Sequence, residues 1–282
     1  MRNKKTLKEL TLKDNFMFGA VMSDENNCRR LLEMILQFPI ERVEVSKEKS
    51  IIYHPEYKGV RLDVYAKDEN HTHYNVEMQA VRESAPGKRT RYYHSQIDME
   101  LLQSGARYSE LPDTYVIFIC DFDPFGEEKY CYTFDNKCDE VKSLHLQDGS
   151  KSIFLSTCGK NETEVPEAMV KFLKFVKADL TESTQDFGDD FVGSLQKSVQ
   201  TIKENRELEV HFMGWHEMLR DEREDGKVEA RTEVVLELLE EMGTVPEKLH
   251  EKVINETDMD VLKRWTKLAA RSASIEEFSE NM

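Results

Sequence analysis

The 282-residue sequence contains no run of about 20 apolar residues, the length a membrane-spanning helix requires. Its opening, Met1-Arg2-Asn3-Lys4-Lys5, is basic, but Thr6-Leu7-Lys8-Glu9-Leu10 is not the apolar stretch of a secretory leader. The five cysteines (Cys28, Cys120, Cys131, Cys138 and Cys158) are odd in number and include no C-x-x-C pair. That spacing argues against a disulfide framework and against a zinc site. The eight histidines show no H-x-x-H or H-E-x-x-H pairing; His211 and His216 stand five apart, too far round a helix to share a metal, and read as structural. Internal repeats and long low-complexity tracts are also absent. These absences predict a globular cytoplasmic protein of one or two domains, with no membrane contact and no organic cofactor.

Positive charge is scarce. Lys and Arg number 39 against 55 Asp and Glu, a net charge of −16. A sequence-independent DNA binder working by bulk attraction is disfavoured by that balance. An acidic metal site served by a local basic patch is not, because such a site contributes negative charge itself.

Periodicity divides the chain. Residues 7–38 read as helical, with Phe16, Phe18, Val21 and Met22 in a first segment. Ser23 or Asp24 would cap a second, bearing Leu31, Leu32, Ile35 and Leu36, which Pro39 ends. From 41 to 80 the pattern becomes strand-like: Val43 and Val45, then Ile51-Ile52-Tyr53, then Val60–Ala66 and His73–Ala80 joined by the polar turn Lys67–Thr72. A helix is predicted from Arg89 to Glu110, a strand buried on both faces at Tyr115–Cys120, short strands at Lys129–Phe134 and Ser152–Ser156, and a helix over 166–179. Thr181–Asp190 is polar and acidic, a candidate linker. Beyond it helices are expected at 190–224, 226–242, 246–256, 258–270 and 274–280. The expected domains are therefore residues 1–180 and a helical region at 181–282. The stripe Val234, Val235, Leu238 and Leu239 suggests oligomerisation, a homodimer in particular, or partner binding.

The chemistry concentrates in the predicted hairpin. Side chains alternate along a strand, so Glu77 and Gln79 share one face while Val76 and Met78 point to the other. With the expected register Asp63 lies across from Glu77. Two adjacent carboxylates repel unless a cation lies between them, and hard oxygen ligands select Mg²⁺ or Mn²⁺. Asp63, Glu77 and the backbone carbonyl of Met78 would hold that ion, and Gln79 would orient an attacking water. Acidic residues in strands are more often a solvent face, and the spacing taken alone is common. Asp14 is a further acidic candidate, though it also suits the N-cap of a helix starting at Asn15. The next helix brings Lys88, Arg89 and Arg91 beside Tyr92, Tyr93 and His94, a basic and aromatic mixture suited to phosphates and bases. Over residues 82–107, five basic residues oppose three acidic ones, a local +2. Gln103 is a further substrate-binding candidate.

Taken in order, Asp14-Asn15-Phe16-Met17-Phe18, Asp63, Tyr74-Asn75-Val76-Glu77-Met78-Gln79, Arg89-x-Arg91-Tyr92-Tyr93-x-Ser95, Gln103-x-Gly105-x-x-Tyr108 and Tyr115–Cys120 resemble the PD-(D/E)XK nuclease family transposases, also called recombination-promoting nucleases. The resemblance covers roughly residues 10–180; the tail around Glu222–Arg231 is of the family's usual type but less specific. It implies an α/β fold with a restriction-endonuclease-like core, a central mixed β-sheet flanked by helices. It also implies a metal-dependent endonuclease acting on DNA, with Asp63 and Glu77 as metal ligands. Gln79 stands where the wider superfamily has lysine, so charge for the transition state must come from elsewhere, with Arg89 and Arg91 the candidates. A nuclease of defence or toxicity would use the same site. A nucleic-acid-binding or protein-interaction module with a dormant site is the alternative from another class.

Overall fold

The computed structural model describes residues 5–51 and 60–282. Met1–Lys4, and Ile52 and Tyr53 of the first predicted strand run, lie outside the described residues, as do the side chains of His216 and Glu222. Two compact units divide the chain, Met1–Leu208 and Glu209–Met282.

The first unit opens with two helices, α1 (Asn15–Met22) and α2 (Glu25–Leu36). Between the two predicted caps the structure uses Asp24, whose side chain accepts the Asn27 N–H; such a cap contributes about 1 kcal/mol. Gln37, in the left-handed region at φ 60°, stops α2 before Pro39 is reached. Asp14 occupies the N-cap position of α1, but its carboxylate turns back to the Thr11 N–H (2.8 Å) and Lys5 Nζ (2.7 Å) rather than forward to the helix.

A mixed six-stranded sheet follows, built from β1 (Val43–Ile51), β2 (Val60–Asp68), β3 (His73–Gln79), β4 (Thr114–Cys120), β5 (Cys131–Phe134) and β6 (Ser150–Ser156). Its order is β1-β2-β3-β4-β6-β5. β1, β2 and β3 run antiparallel, β3, β4 and β6 parallel, and β5 closes the other edge antiparallel to β6. The parallel step from β3 to β4 needs a crossover, supplied by α3 (Pro86–Leu101). All seven residues of β4 are buried, as its continuous apolar run foretold.

Helix α3 lies on the sheet face that carries the odd-numbered residues of β3. Tyr93 and Ile97 pack there with Tyr65, Val116, Phe118, Cys120 and Phe154. Phe118 stacks on Tyr93 at 5.9 Å and on Phe154 at 5.1 Å between ring centroids, pairs that contribute about 0.5–1.5 kcal/mol each beyond their burial. The predicted extension of α3 to Glu110 does not form. The helix ends at Leu101, and Gly105 at φ 90° leads the chain into a separate turn at Tyr108–Glu110. Helices α4 (Glu167–Lys177) and α5 (Asp190–Glu204) complete the unit and pack against each other and against α2. Between them, residues 181–190 are pinned: Gln196 Nε2 donates to the carbonyls of Ser183 and Gln185, and Phe187 packs edge-on against Phe175.

The helix after α5 breaks where the sequence reading did not place a break. Asn205 ends α5 and its side chain accepts the N–H groups of Glu207 and Leu208, restarting the chain as α6 (Arg206–Glu240). Gly226 lies within α6 without interrupting it; a glycine tolerates a helix interior at about 1 kcal/mol. In the second unit α7 (Glu247–Ile254), α8 (Met259–Ala269) and α9 (Ile275–Asn281) enclose a core with the end of α6. Val235 and Leu239 are wholly buried there with Leu262, Trp265 and Phe278. Val235, Leu239 and, in part, Leu238 of the predicted oligomerisation stripe are thus consumed inside their own chain, leaving Val234 exposed.

Candidate active site

The β2–β3 ladder pairs Val64 with Val76 and stops. One residue further, side chains replace the backbone. The Asp63 N–H donates to Glu77 Oε1 at 3.1 Å, and the Met78 N–H donates to Asp63 Oδ2 at 3.1 Å. Each carboxylate thereby closes the opposite strand. The Gln79 carbonyl accepts the Asp121 N–H beside β4. Because consecutive carbonyls alternate sides along a strand, the Met78 carbonyl points toward β2, the same side as its N–H and as Asp63.

Glu77 is 1% exposed, Asp63 half-buried. Burial, and then the neighbouring charge of Asp63, push the Glu77 carboxyl up from its ordinary value of 4.5 to about 8. Arg89 opposes this. Reaching over from the first turn of α3, its Nη2 lies 3.5 Å from Glu77 Oε2, while Nη1 donates to Gln79 Oε1 at 2.9 Å and to Glu83 Oε2 at 2.6 Å. Nε and Nη2 both donate to the Tyr93 hydroxyl, at 3.0 and 2.8 Å. The guanidinium is therefore held from below by a buried tyrosine and shared among three groups at its tip.

The oxygen-only donor set suits a hard divalent cation. Two carboxylates at the end of the β2–β3 ladder, when both are ionised, repel one another and favour positive charge between them. Among the described residues no group of three or more His, Cys, Asp or Glu side chains is arranged to hold a metal. Beside the two carboxylates, the Met78 carbonyl is a further oxygen donor on the same side of the strand. Asp63, Glu77 and Met78 thus fit the ion that the sequence pattern implied.

The remaining predicted residues divide. Lys88 and Arg91 are exposed on α3, and Tyr92 is half-buried against the same core as Tyr93. Tyr93, expected to touch substrate, is 7% exposed and serves Arg89 instead. Gln103 lies beyond the far end of α3, roughly 20 Å along the helix direction from Arg89 at 1.5 Å per residue, and is not brought to the carboxylates. His94 is buried on Thr114 Oγ1 (2.8 Å) and Ser152 Oγ (3.2 Å), and burial lowers its pKa to about 4. It is a neutral structural group. Cys120 is likewise buried, its thiol pushed up to about 12.

Two residues at the site have no role assigned by the sequence pattern. Glu83 shares Arg89 with Gln79, a contact across a loop that no local pattern signals. Asn75 shares the face of Glu77, two residues before it, and is fully buried with neither side-chain amide atom hydrogen-bonded by any described group. A buried amide left unpaired costs about 1–3 kcal/mol.

The chain belongs to the PD-(D/E)XK nuclease family transposases, whose family model matches residues 12–237. No curated protein and no solved structure matches it. The family defines a nuclease linked to mobile elements, and the mixed sheet with flanking helices is the α/β fold expected of it. No helix among the described residues is long and apolar enough to cross a membrane.

Proposed function

We propose that the protein is a Mg²⁺- or Mn²⁺-dependent endonuclease that hydrolyses phosphodiester bonds in DNA, in the service of mobile elements or recombination. The observation that carries this reading is the reciprocal closure of Asp63 and Glu77 across the β2–β3 hairpin, with Glu77 buried beneath Arg89.

Asp63, Glu77 and the Met78 carbonyl would hold the cation. When bound, the divalent ion polarises a phosphoryl oxygen and lowers the pKa of a water at the site. Gln79 contributes a side-chain amide whose oxygen is fixed by Arg89, so its NH₂ group has a defined direction for orienting a water. Arg89 supplies the positive charge that a lysine at position 79 would have brought. Its planar fork, braced by Tyr93, can stabilise charge developing on the phosphorane without reorganising. Lys88 and Arg91, exposed along the same helix, meet neighbouring phosphates and set register on the duplex, with Tyr92 beside them. Gln103 has no part in this arrangement.

Double-strand cleavage needs two such sites, for which a homodimer is the economical source. With Val235 and Leu239 enclosed in the second unit's own core, a partner copy has to meet another surface, and sedimentation equilibrium decides whether it does. We further propose that the helical C-terminal region is a module apart from the nuclease, with 10 Lys and Arg against 19 Asp and Glu over residues 209–282. A net charge of 10 − 19 = −9 unsuits it to DNA.

Plasmid cleavage tests the reading, with wild type, Asp63→Asn and Glu77→Gln compared in Mg²⁺, Mn²⁺ and EDTA. Nicking or linearisation that requires metal and disappears in both variants is the expected result. Equal inertness of wild type and folded variants would remove the catalytic claim.

A further inference from the structure

Asn75 is wholly buried in the middle of β3, and neither its amide nitrogen nor its amide oxygen is hydrogen-bonded by a described protein group. An asparagine amide offers two donors and an acceptor, and such groups are almost always paired when buried. Its cross-strand neighbours do not meet that need. Val116, its register partner on β4, is apolar. Tyr65, its partner on β2, commits its hydroxyl to His73 Nδ1 at 2.6 Å. Along β3 itself, alternation puts Asn75 on the face of Glu77, close enough that its side-chain amide interacts with that carboxylate in the metal-free protein and favours its charged form, while falling short of a well-formed hydrogen bond.

The carboxylate of Glu77 is already engaged in this structure, Oε1 by the Asp63 N–H and Oε2 by Arg89. A carboxylate that turns toward a cation changes which of its lone pairs face the protein. The unpaired amide stands beside it.

We propose that Asn75 is a positioning residue for the metal site: in the cation-loaded protein its side-chain NH₂ donates to the Glu77 carboxylate and fixes the orientation in which Glu77 meets the ion. The inference rests on the metal-dependent reading of Asp63 and Glu77. Groups that orient metal ligands from behind set affinity nearly as strongly as the ligands do. On this account the Asn75 amide stands beside Glu77 without a well-formed hydrogen bond in the metal-free state, and that bond forms when Glu77 turns toward the ion. A contact this poorly formed in the metal-free state contributes little to its stability. Replacement by an apolar residue of similar bulk should therefore spare or raise metal-free stability while weakening the site, the opposite of what removing a structural asparagine does.

Asn75→Val and Asn75→Ala in the full-length chain make the test, the second guarding against a packing fault in the first. Three quantities are read: Mn²⁺ affinity by calorimetry at fixed pH, thermal melting without metal, and kcat and KM for duplex DNA in Mg²⁺. The expected result is a Kd for Mn²⁺ raised on the order of ten- to a hundredfold. It comes with a lowered kcat, an unchanged KM for DNA, and a metal-free melting temperature equal to or above that of the wild type. Mn²⁺ affinity equal to wild type in either folded variant overturns the proposal. So does a loss of metal-free stability with unaltered affinity, the mark of an asparagine bridged to its surroundings by water. Wild-type protein that takes up no Mn²⁺ overturns the metal reading itself and this inference with it, which keeps the two failures distinct.

Discussion

Arg89 of α3 and Gln79 of β3, ten residues apart, meet at 2.9 Å, and through that contact the crossover helix reaches the strand that carries the carboxylates. The same guanidinium nitrogen also donates to Glu83. Strand, loop and helix are joined at one side chain.

Arg89 is accordingly the most sensitive basic residue. Arg89→Ala should lower kcat on the order of 10²–10³-fold, the cost of losing an oriented donor to a developing oxyanion. Arg89→Lys should recover only part of it, because an ammonium cannot span Gln79, Glu83 and the Tyr93 hydroxyl together. Single-turnover cleavage of a duplex measures both; full activity in Arg89→Lys would refute the assigned role.

Tyr93→Phe keeps the stack on Phe118 and removes the oxygen that accepts from Nε and Nη2 of Arg89. A stability loss of about 1 kcal/mol is expected, with a larger effect on kcat than on KM. Denaturant melts and steady-state kinetics on one preparation separate the two.

Glu83 competes for the same cation from a side chain 60% exposed, so its pair with Arg89 contributes little to stability. Glu83→Gln should leave melting unchanged and tighten duplex binding in Ca²⁺ several-fold, with the salt slope steeper by about one released counterion. Weaker binding in this variant would show that Glu83 holds Arg89 in place instead of restraining it.

The pH dependence follows from Glu77. A carboxyl whose folded pKa is raised holds its proton better folded than unfolded, so it contributes stability at low pH that is lost as pH rises. Metal-free melting temperature should therefore fall between pH about 4.5 and about 8, the span over which the folded and unfolded groups differ. Glu77→Gln should flatten that slope, and Mg²⁺ should offset it in the wild type by binding the ionised form. Differential scanning calorimetry across the range, with and without metal, checks the sign; a wild-type curve that rises through the window contradicts it.

Along α3, Lys88→Ala and Arg91→Ala should each weaken duplex binding at every sequence and reduce the salt slope by about one. Gln103→Ala should do neither. Fluorescence titrations at several salt concentrations distinguish these outcomes.

Most of the site's strand geometry was legible because strand parity is a strict code. Asp63 and Glu77 face each other as the hairpin pattern required, and Tyr115–Cys120 declared a buried strand by lacking polar residues. Helix ends were less legible. Gly105 marked the end of the α3 segment only through its positive φ, and Asn205 restarted a helix where Gly226 had been the more conspicuous residue. Contacts between elements carried no sequence signal. Tyr93 reads as a base-stacking residue until its hydroxyl is found beneath Arg89, and Gln103 loses its assigned place once α3 is seen to run away from the carboxylates. Asn75 lay inside the recognised motif, but only its burial gave it a role.

The closure of β2 on β3 by Asp63 and Glu77 gives both residues a duty independent of chemistry. They terminate the hairpin and pin its register, and a one-residue slip would turn every side chain of the strand to the wrong face. A descendant that abandoned cleavage would still gain foldability by keeping them. In a related chain the two acidic residues without the arginine above them therefore say less about activity than the full arrangement does. Arg89, together with the Tyr93 that braces it, has less to do for the sheet, and its retention or loss is the better guide to which relatives still cut.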